Sequence, residues 1–539
     1  MVQTIANSLH VNNSFYSINL CNYFNIFYCI CFLYFFLKVI IYFNKKISTY
    51  NHSIENNKIS NKQKLFLLVI AVITITLFSK SSFLYPLNDW VDANCFFTVG
   101  KSILSGKVPY RDLMEQKGPL LYFIHALAAL ISYDSFIGVY LIEIIACYFF
   151  LYYAYKILLI FVDKYCIYLL PFLSVLIHSS TSFCHGDSAE ELCLPLITYG
   201  LYLGLLHLKN NELSFKESIM LGITSGCVLW IKFTMLGFYI GWIIVPFVLS
   251  IRNKTYLKFF KMLFQIIFGV IIITIPILSY FIYHSALNNL FSVYFYNNLF
   301  LYNSSNESSL LSNEIHSLLS GVYKNIQYYI FTIVGVYGLW VKYKKEFIFL
   351  VSTFIFTAFF VYVGADSWPY YTFIMSVFSV AGLFTVYILI NDLLKKTFFN
   401  FRGMIIYIFS ICAILFLCVI KGSNTYLMFE DKDNLPQYQF KEIICSIENP
   451  TLLNYGWLDG CFYTTTGIVP NCKYFCELNI SLDEMYDGQK ECIENGDVDF
   501  VVSDKVIEEE LIEKYELVST ASYYFEGTMK NYYLYQLIN

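Results

Sequence analysis

The sequence predicts a mainly α-helical, polytopic membrane protein: a bundle of about twelve transmembrane helices followed by a small α/β domain. Of its 539 residues, 58% are hydrophobic and only 14% are charged, whereas soluble domains carry about 25% charged residues. The apolar residues are gathered into runs of roughly 20, the length that a bilayer requires. Acidic residues concentrate in the tail, since residues 422–539 hold 21 of the 39 acidic residues but 7 of the 35 basic ones.

The apolar runs define the predicted spans in chain order. A further stretch, 119–134, is short and amphipathic, so we expect it to lie in the membrane interface without crossing. The predicted spans are 20–43, 65–83, 136–159, 166–179, 192–208, 217–231, 233–251, 262–283, 323–341, 346–364, 371–390 and 404–421.

Charge predicts how the bundle is oriented in the cell membrane. Short cytoplasmic loops are enriched in Lys and Arg, and with this set of spans the basic loops all fall on one side. Loop 84–135, segment 180–191 and the acidic tail fall on the other side, which is predicted to be extracytoplasmic. The chain is thus predicted to divide into a transmembrane domain, 1–421, and an extracytoplasmic domain, 422–539. The basic loops are 44–64, 252–261, 342–345 and 391–403.

The tail alternates short apolar runs with Gly, Asp and Asn turns, a pattern typical of a small α/β fold. We expect a helix at Glu508–Glu516 and a closing hairpin around Gly527. In an extracytoplasmic domain its cysteines allow one or two disulfides, with at least one thiol left over. These cysteines are Cys445, Cys461, Cys472, Cys476 and Cys492.

Loop 84–135 contains the strongest candidates for chemistry. It is longer than an ordinary connector and carries both signs of charge. Asp92 lies just before a predicted amphipathic helix at 93–105, followed by G-x-V-P-Y-x-D at 106–112 and by Lys117-Gly118-Pro119. Asp92 is either an N-cap of that helix or a general base, and Asp89 is the fallback for the base.

These motifs resemble the first outer loop of the GT-C glycosyltransferases, in the branch that contains the protein mannosyltransferases and the aminoarabinose transferase. Asp92 matches the family's catalytic aspartate, and Lys117-Gly118-Pro119 matches its basic-Gly/Pro-Pro step. Ala93 stands where the family usually has a second acidic residue, which argues against a metal role at that position. The resemblance implies a polyprenyl-phosphate sugar donor and an aspartate that removes a proton from the acceptor hydroxyl.

The second outer segment, 180–191, places acidic residues at the membrane surface. The resemblance implies that one of them joins the active site, with Glu190 the first choice and Asp187 the second. His185 beside these carboxylates leaves open a divalent cation as cofactor. The alternative is a solvated turn whose acidic residues cap the next helix.

Cationic groups are needed to hold a leaving phosphate. Lys232 lies between two apolar runs, where a charge is expensive unless it faces a cavity or a partner. We predict that it binds the lipid phosphate, with Arg111 and Lys117 as further substrate-binding residues; snorkelling to the interface is the alternative for Lys232. Tyr370 and Tyr371, in a late outer turn, are predicted to line the donor pocket or to belong to an interfacial aromatic belt.

Two functions of different classes remain. The first is a membrane enzyme that transfers a hexosyl or pentosyl group from a polyprenyl-phosphate carrier to a cell-envelope glycan, lipid or protein outside the cytoplasm. The second is a transporter or flippase of lipid-linked saccharides. Transporters typically show paired repeats and broken helices at the midplane, and neither pattern is visible here. Nucleic-acid binding is not indicated, because no basic patch is joined to a reading motif.

Overall fold

The fold was analysed in a computed structural model of the chain. The structure describes residues 41–50, 58–301, 310–362, 368–398, 424–480, 482–525 and 528–538, with scattered positions between 404 and 422. The predicted span 20–43 lies almost wholly outside these residues, and 404–421 lies largely outside them.

Helices make up most of the described chain. Three of them directly follow 3₁₀ segments, which cover Lys164–Leu169, Phe233–Leu236 and Pro369–Ser379. A π-helix covers Phe291–Leu301. The α-helices of five or more residues are α1 Asn61–Phe78, α2 Val91–Leu104, α3 Pro119–Ala129, α4 Ile137–Phe161, α5 Leu170–His178, α6 Ala189–Asn210, α7 Phe215–Ile231, α8 Gly237–Arg252, α9 Tyr256–Tyr283, α10 Leu310–Lys324, α11 Ile326–Lys342, α12 Lys344–Tyr362, α13 Val380–Phe398, α14 Pro436–Ile444, α15 Phe462–Thr466 and α16 Asp483–Asn495.

The predicted membrane bundle is confirmed as a fold class. Every apolar run predicted between residues 65 and 390 contains a helix. Within the described residues, seven helices are long and apolar enough to cross a membrane. The total of about twelve spans therefore stays a prediction.

Close contact between α7 and α9 depends on small residues. Gly222 on α7 faces Gly269 on α9, and a Cβ on Gly222 would lie 2.0 Å from the carbonyl oxygen of Ile266. Small residues let helix backbones approach closely where lipid tails give no hydrophobic driving force. The two glycines therefore allow α7 to pack closely against α9. Lys232 follows the C-terminal end of α7.

The helix predicted at 93–105 is α2, but it is not a surface amphipathic helix. Residues Asp92 to Ser102 are all buried. One side of α2 packs on α3, which is short as predicted, and the other side meets the tail. The sequence could not show this burial, because the tail that covers α2 is distant in the chain.

The tail forms a four-stranded sheet in the order β1-β2-β4-β3, from Leu452–Tyr455, Phe500–Ser503, Tyr515–Phe525 and Thr528–Leu537. The first pair is parallel, with α16 in its connection, and the last pair forms the predicted antiparallel hairpin. Gly527 lies outside the described residues. The helix expected at Glu508–Glu516 is wrong: turns occupy this stretch and β3 begins at Tyr515.

Among the tail cysteines, Cys472 and Cys492 form a disulfide. Cys445, Cys461 and Cys476 are free thiols. Cys476 lies with its sulfur 3.7 Å from that of Cys95 on α2. One disulfide and three free thiols agree with the expectation that one or two disulfides are possible and that at least one thiol is left over.

The tail also docks on α2 through polar contacts. The Thr98 hydroxyl donates to the Asp459 carboxylate at 2.6 Å, and the Thr464 hydroxyl donates to the Asn94 side chain at 2.8 Å. Lys101 donates to the carbonyl of Tyr463. Residues of the bundle and of the tail consequently share one hydrophobic core.

This docking predicts a specific pH dependence. Burial raises the pKa of Asp459 from 3.8 to about 6. Between these two pH values the folded protein keeps a proton on the Asp459 carboxyl that the unfolded chain releases. The stability contributed by this carboxyl is greatest below about pH 4 and is lost as the pH rises through 6, a loss on the order of 2–3 kcal/mol. The apparent melting temperature of the wild type minus that of Asp459→Asn should therefore fall by a few degrees between pH 4.5 and 7. A flat or rising difference would contradict this account.

Candidate active site

The G-x-V-P-Y-x-D motif forms a closed turn. The Val108 amide donates to the Asp112 carboxylate at 2.7 Å, and the Asp112 amide donates to the Val108 carbonyl at 2.9 Å. The Tyr110 hydroxyl then donates to the Lys117 carbonyl at 2.6 Å. The motif thereby fixes the backbone that leads into Lys117-Gly118-Pro119.

Gly118 brings this backbone against the end of α7. Its amide donates to the Ile231 carbonyl at 3.2 Å, and a Cβ here would lie 2.1 Å from the carbonyl oxygen of Trp230. Only glycine allows so close an approach. Loop 84–135 therefore packs directly beside Lys232, the residue that follows α7.

Gly118→Ala should separate the loop from α7. Overpacking of this kind costs about 1–3 kcal/mol, and the displacement should move Lys117 relative to Lys232. We expect a lower melting temperature and a loss of the glycosyl transfer that the sequence predicts. Gly106→Ala, in the same loop, has nothing within 4 Å of its added methyl group and should cost only the strain of a positive φ. Equal effects of the two variants would contradict a special role for the Gly118 contact.

Lys232 and Glu190 form a buried ion pair. The Lys232 ammonium lies 2.5 Å from Glu190 Oε1, with 15% of the lysine and 1% of the glutamate side chain exposed. It also lies 3.8 Å from the ring centre of Tyr371 and 5.4 Å from that of Tyr370. These cation–π contacts, together with the ion pair, hold the charge inside the fold, so Lys232 does not snorkel to solvent.

Asp92 lies in the first turn of α2 and is 8% exposed. The helix begins at Val91, its N-cap is Trp90, and no side chain caps it. Asp92 is thus inside the helix instead of capping it, and no hydrogen bond to its carboxylate occurs among the described residues. Its charge interacts electrostatically with Lys232 and with Glu115.

Glu115 and Lys117 complete the same cluster. Burial raises the pKa of Glu115, Lys117 opposes the rise, and Asp92 adds to it. The Tyr122 hydroxyl donates to Glu115. The Lys117 ammonium lies 5.8 Å from the ring centre of Phe96, one helical turn after Asp92. Three carboxyl groups, those of Asp92, Glu115 and Glu190, and two ammonium groups therefore converge here from separate segments.

Asp187 is engaged with a different partner. Its carboxylate binds Nε2 of His125 on α3 at 2.9 Å, and both side chains are buried. Burial alone would lower the pKa of His125, but the Asp187 charge overcomes this and the pKa is raised. His185 instead stacks on Trp90, with ring centres 6.0 Å apart, and burial lowers its pKa to about 3.

Asp89 and Arg111 lie in ion pairs outside this cluster. Asp89 accepts from the buried Lys80 at 2.6 Å. Arg111 is held by Asp112, at 2.8 Å, and by the carbonyl of His284 at 2.7 Å. Of the predicted site residues, the structure brings together Asp92, Lys117, Glu190, Lys232, Tyr370 and Tyr371.

Several residues of the candidate active site were not predicted from the sequence. Glu115 stands two residues before Lys117 and could have been singled out as a charge inside the motif region. His125 is the partner of Asp187, and Trp90 contacts Tyr370 with ring centres 5.2 Å apart. No local signal could have identified these two, because their partners lie far away in the chain.

Among the described residues, the donors present do not form a metal site. Within the described residues, no group of three or more His, Cys, Asp or Glu side chains is placed to hold a metal ion. One oxygen of Glu190 is committed to Lys232, and Asp187 to His125. We therefore derive no step through a cation, and the divalent cation stays a sequence-based prediction.

The fold is similar to that of solved membrane proteins. No protein-family model matches the sequence, and no curated protein matches it either. Among solved structures, ArnT from Cupriavidus metallidurans in the apo state matches with a TM-score of 0.58 at 9% identity, covering 88% of this chain and 98% of ArnT. ArnT bound to undecaprenyl phosphate gives 0.56 at 9% identity over 87% and 98% of the two chains.

A looser match is the archaeal oligosaccharyltransferase AglB from Archaeoglobus fulgidus, in complex with an inhibitory peptide and a dolichol-phosphate. Its TM-score is 0.44 at 13% identity, over 87% of this chain and 74% of AglB. The match extends over almost the whole length of both ArnT structures. The chain therefore has an ArnT-like fold, in agreement with the fold that the resemblance in loop 84–135 implied.

Proposed function

We propose that the protein is a membrane glycosyltransferase that moves a sugar from a polyprenyl-phosphate carrier to a hydroxyl acceptor outside the cytoplasm. The observation that carries the proposal is the cluster of Asp92, Glu115, Lys117 and the Lys232–Glu190 pair, built from three separate segments. The likeness to ArnT, which has been crystallised with undecaprenyl phosphate, supports the donor class.

Asp92 is assigned as the general base. The carboxylate takes the proton of the acceptor hydroxyl as the oxygen attacks the anomeric carbon. The bond from that carbon to the phosphate oxygen breaks, and polyprenyl phosphate leaves with the electron pair. One base suffices for such an inverting displacement, because the phosphate is already a good leaving group.

Lys232 and Lys117 are assigned to the leaving phosphate. A preorganised positive charge in a site with little water stabilises the charge that develops there. Glu190 keeps Lys232 ionised and fixed in place, which makes it a positioning residue, and Tyr370 and Tyr371 flank the ammonium group. Arg111, Asp89 and Asp187 are assigned to holding the surrounding loops in place, on the side of the site where the acceptor would bind.

The donor panel is the first test. Membranes containing the protein are supplied with polyprenyl-phosphate hexoses and pentoses, and release of polyprenyl phosphate is measured against membranes without the protein. We expect turnover of at least one donor. If every donor remains intact while one crosses the bilayer, the flippase alternative is the better account.

The orientation is tested by thiol labelling. Ser105 and Lys62 are exposed and are proposed to lie on opposite faces, extracytoplasmic and cytoplasmic respectively. In intact cells a membrane-impermeant maleimide should label Ser105→Cys above the parent's background and leave Lys62→Cys unlabelled until the cells are lysed. Labelling of both residues in intact cells, or of Lys62→Cys alone, would contradict the proposed orientation.

A further inference from the structure

A cavity of about 420 Å³ opens at the ends of α6, α8 and α9. Its wall includes Asn211 after α6, Asn253 after α8 and Thr255 before α9. Lys345, at the start of α12, joins the same wall. The cavity is therefore built from two loops and the start of α12, which are separate in the sequence.

This cavity lies at the opposite end of the bundle from the candidate active site. Helix α6 begins beside Glu190 and ends at Asn210 after 22 residues, a length of about 33 Å. Helix α7 runs the other way, from Phe215 at the cavity to Lys232 at the active site. The two sites thus face opposite surfaces of the membrane.

The charge on the cavity wall is predominantly positive. Three lysines, Lys258, Lys261 and Lys345, stand against one carboxylate, Glu212. Glu212 pairs with Lys258 at 3.2 Å, and both side chains are largely exposed, so this pair is weak. Nδ1 of His207, a buried nitrogen in the wall, has no hydrogen-bond partner among the described residues. An anionic group with several oxygen acceptors fits these surroundings.

An apolar surface runs from the cavity along α9. Lys261, Met262 and Gln265 line the cavity, and the neighbouring side chains on α9 face outward. Large apolar groups at this spacing on the outside of a membrane helix contact lipid chains. The exposed residues are Phe260, Phe264, Ile267, Phe268 and Ile271.

We propose that this cavity binds the headgroup of an anionic phospholipid, with the acyl chains lying along α9. The lysines bind the phosphate, since basic pockets between transmembrane helices on the cytoplasmic side recognise anionic headgroups. The site is separate from the glycosyl-transfer site, and its occupation does not depend on that function.

The test is a titration of the purified full-length protein in detergent with fluorescent phosphatidylglycerol. The triple variant Lys258→Gln, Lys261→Gln, Lys345→Gln should bind at least about tenfold more weakly than the wild type. The matched control replaces three exposed lysines elsewhere, Lys45, Lys62 and Lys64, by Gln and should keep its affinity within about twofold. The same three cavity positions changed to Arg should also bind normally, because positive charge is retained, and an unchanged melting temperature of the Gln triple should exclude misfolding as the cause of its weaker binding.

Two competitors distinguish the source of the anion. Phosphatidylcholine with the same chains and soluble glycerol phosphate should both compete poorly, because the proposal requires both an anionic headgroup and acyl chains. Equal loss of affinity in the two Gln triples, or none in either, would overturn the proposal. So would equal competition by phosphatidylcholine. Displacement by glycerol phosphate at lipid-like concentrations would assign the cavity to a soluble anion instead.

Discussion

Asp92→Asn is expected to lower transfer by about 10²- to 10⁴-fold, the contribution typical of a general base. The asparagine amide has nearly the same shape as the aspartate carboxylate, but it cannot take the proton from the attacking hydroxyl group. Donor binding should change little, because Asp92 is assigned to the acceptor and not to the phosphate. The measurement is kcat and KM with the best donor of the panel.

Asp89→Asn is the matched control for Asp92→Asn. Asp89 lies three residues earlier, but its carboxylate is bound to Lys80, so its loss should reduce stability more than it reduces kcat. Equal turnover by Asp92→Asn and the wild type would end the catalytic assignment. A large loss of kcat in Asp89→Asn alone would move the assignment to Asp89.

Lys232→Met is expected to lower transfer by about 10²- to 10³-fold, the range seen when one group that stabilises developing charge is removed. Unlike Asp92→Asn, this change should also weaken the binding of polyprenyl phosphate itself. It leaves the Glu190 carboxylate buried without its partner, which costs about 3–5 kcal/mol of stability.

The double variant Lys232→Met, Glu190→Gln separates these two effects. With no uncompensated charge left, its melting temperature should recover toward that of the wild type, whereas its activity should stay low. Recovery of both activity and stability would mean that Lys232 serves the fold and not the phosphate. Glu190→Gln alone should retain part of the activity, because Glu190 is assigned to position Lys232.

The sequence predicted much of the bundle because its signals are local. Runs of about 20 apolar residues identify membrane helices without reference to the rest of the chain. The helix boundaries agree closely: the run 217–231 corresponds to Phe215–Ile231, and 136–159 corresponds to Ile137–Phe161. The closing hairpin was also predicted from adjacent residues, since its two strands are joined by a short connection.

What the sequence could not predict depends on distant contacts. The burial of α2 requires the tail, which supplies Asp459 to Thr98. The helix expected at Glu508–Glu516 had an acidic, helix-forming composition, but Tyr515 is committed to the sheet by pairing with Leu537. Tertiary pairing overrides such local propensity.

The candidate site shows the same division. Asp92, Lys117, Glu190 and Lys232 were identified as single charges at one predicted surface, whereas their mutual arrangement required the fold. The ion pair of Lys232 with Glu190 joins positions 42 residues apart. Gly118 packs directly against the end of α7, which explains why the loop motif contains glycine. The motif alone could not reveal this contact.

The most direct test of glycosyl transfer is a comparison of cleavage with translocation in proteoliposomes. They carry the preferred polyprenyl-phosphate sugar with a radiolabel in the sugar, and an envelope extract supplies the acceptor. Free polyprenyl phosphate should appear in proportion to labelled acceptor for the wild type, and neither product should accumulate for Asp92→Asn. Intact labelled donor that moves between leaflets, with no polyprenyl phosphate released, would contradict the account.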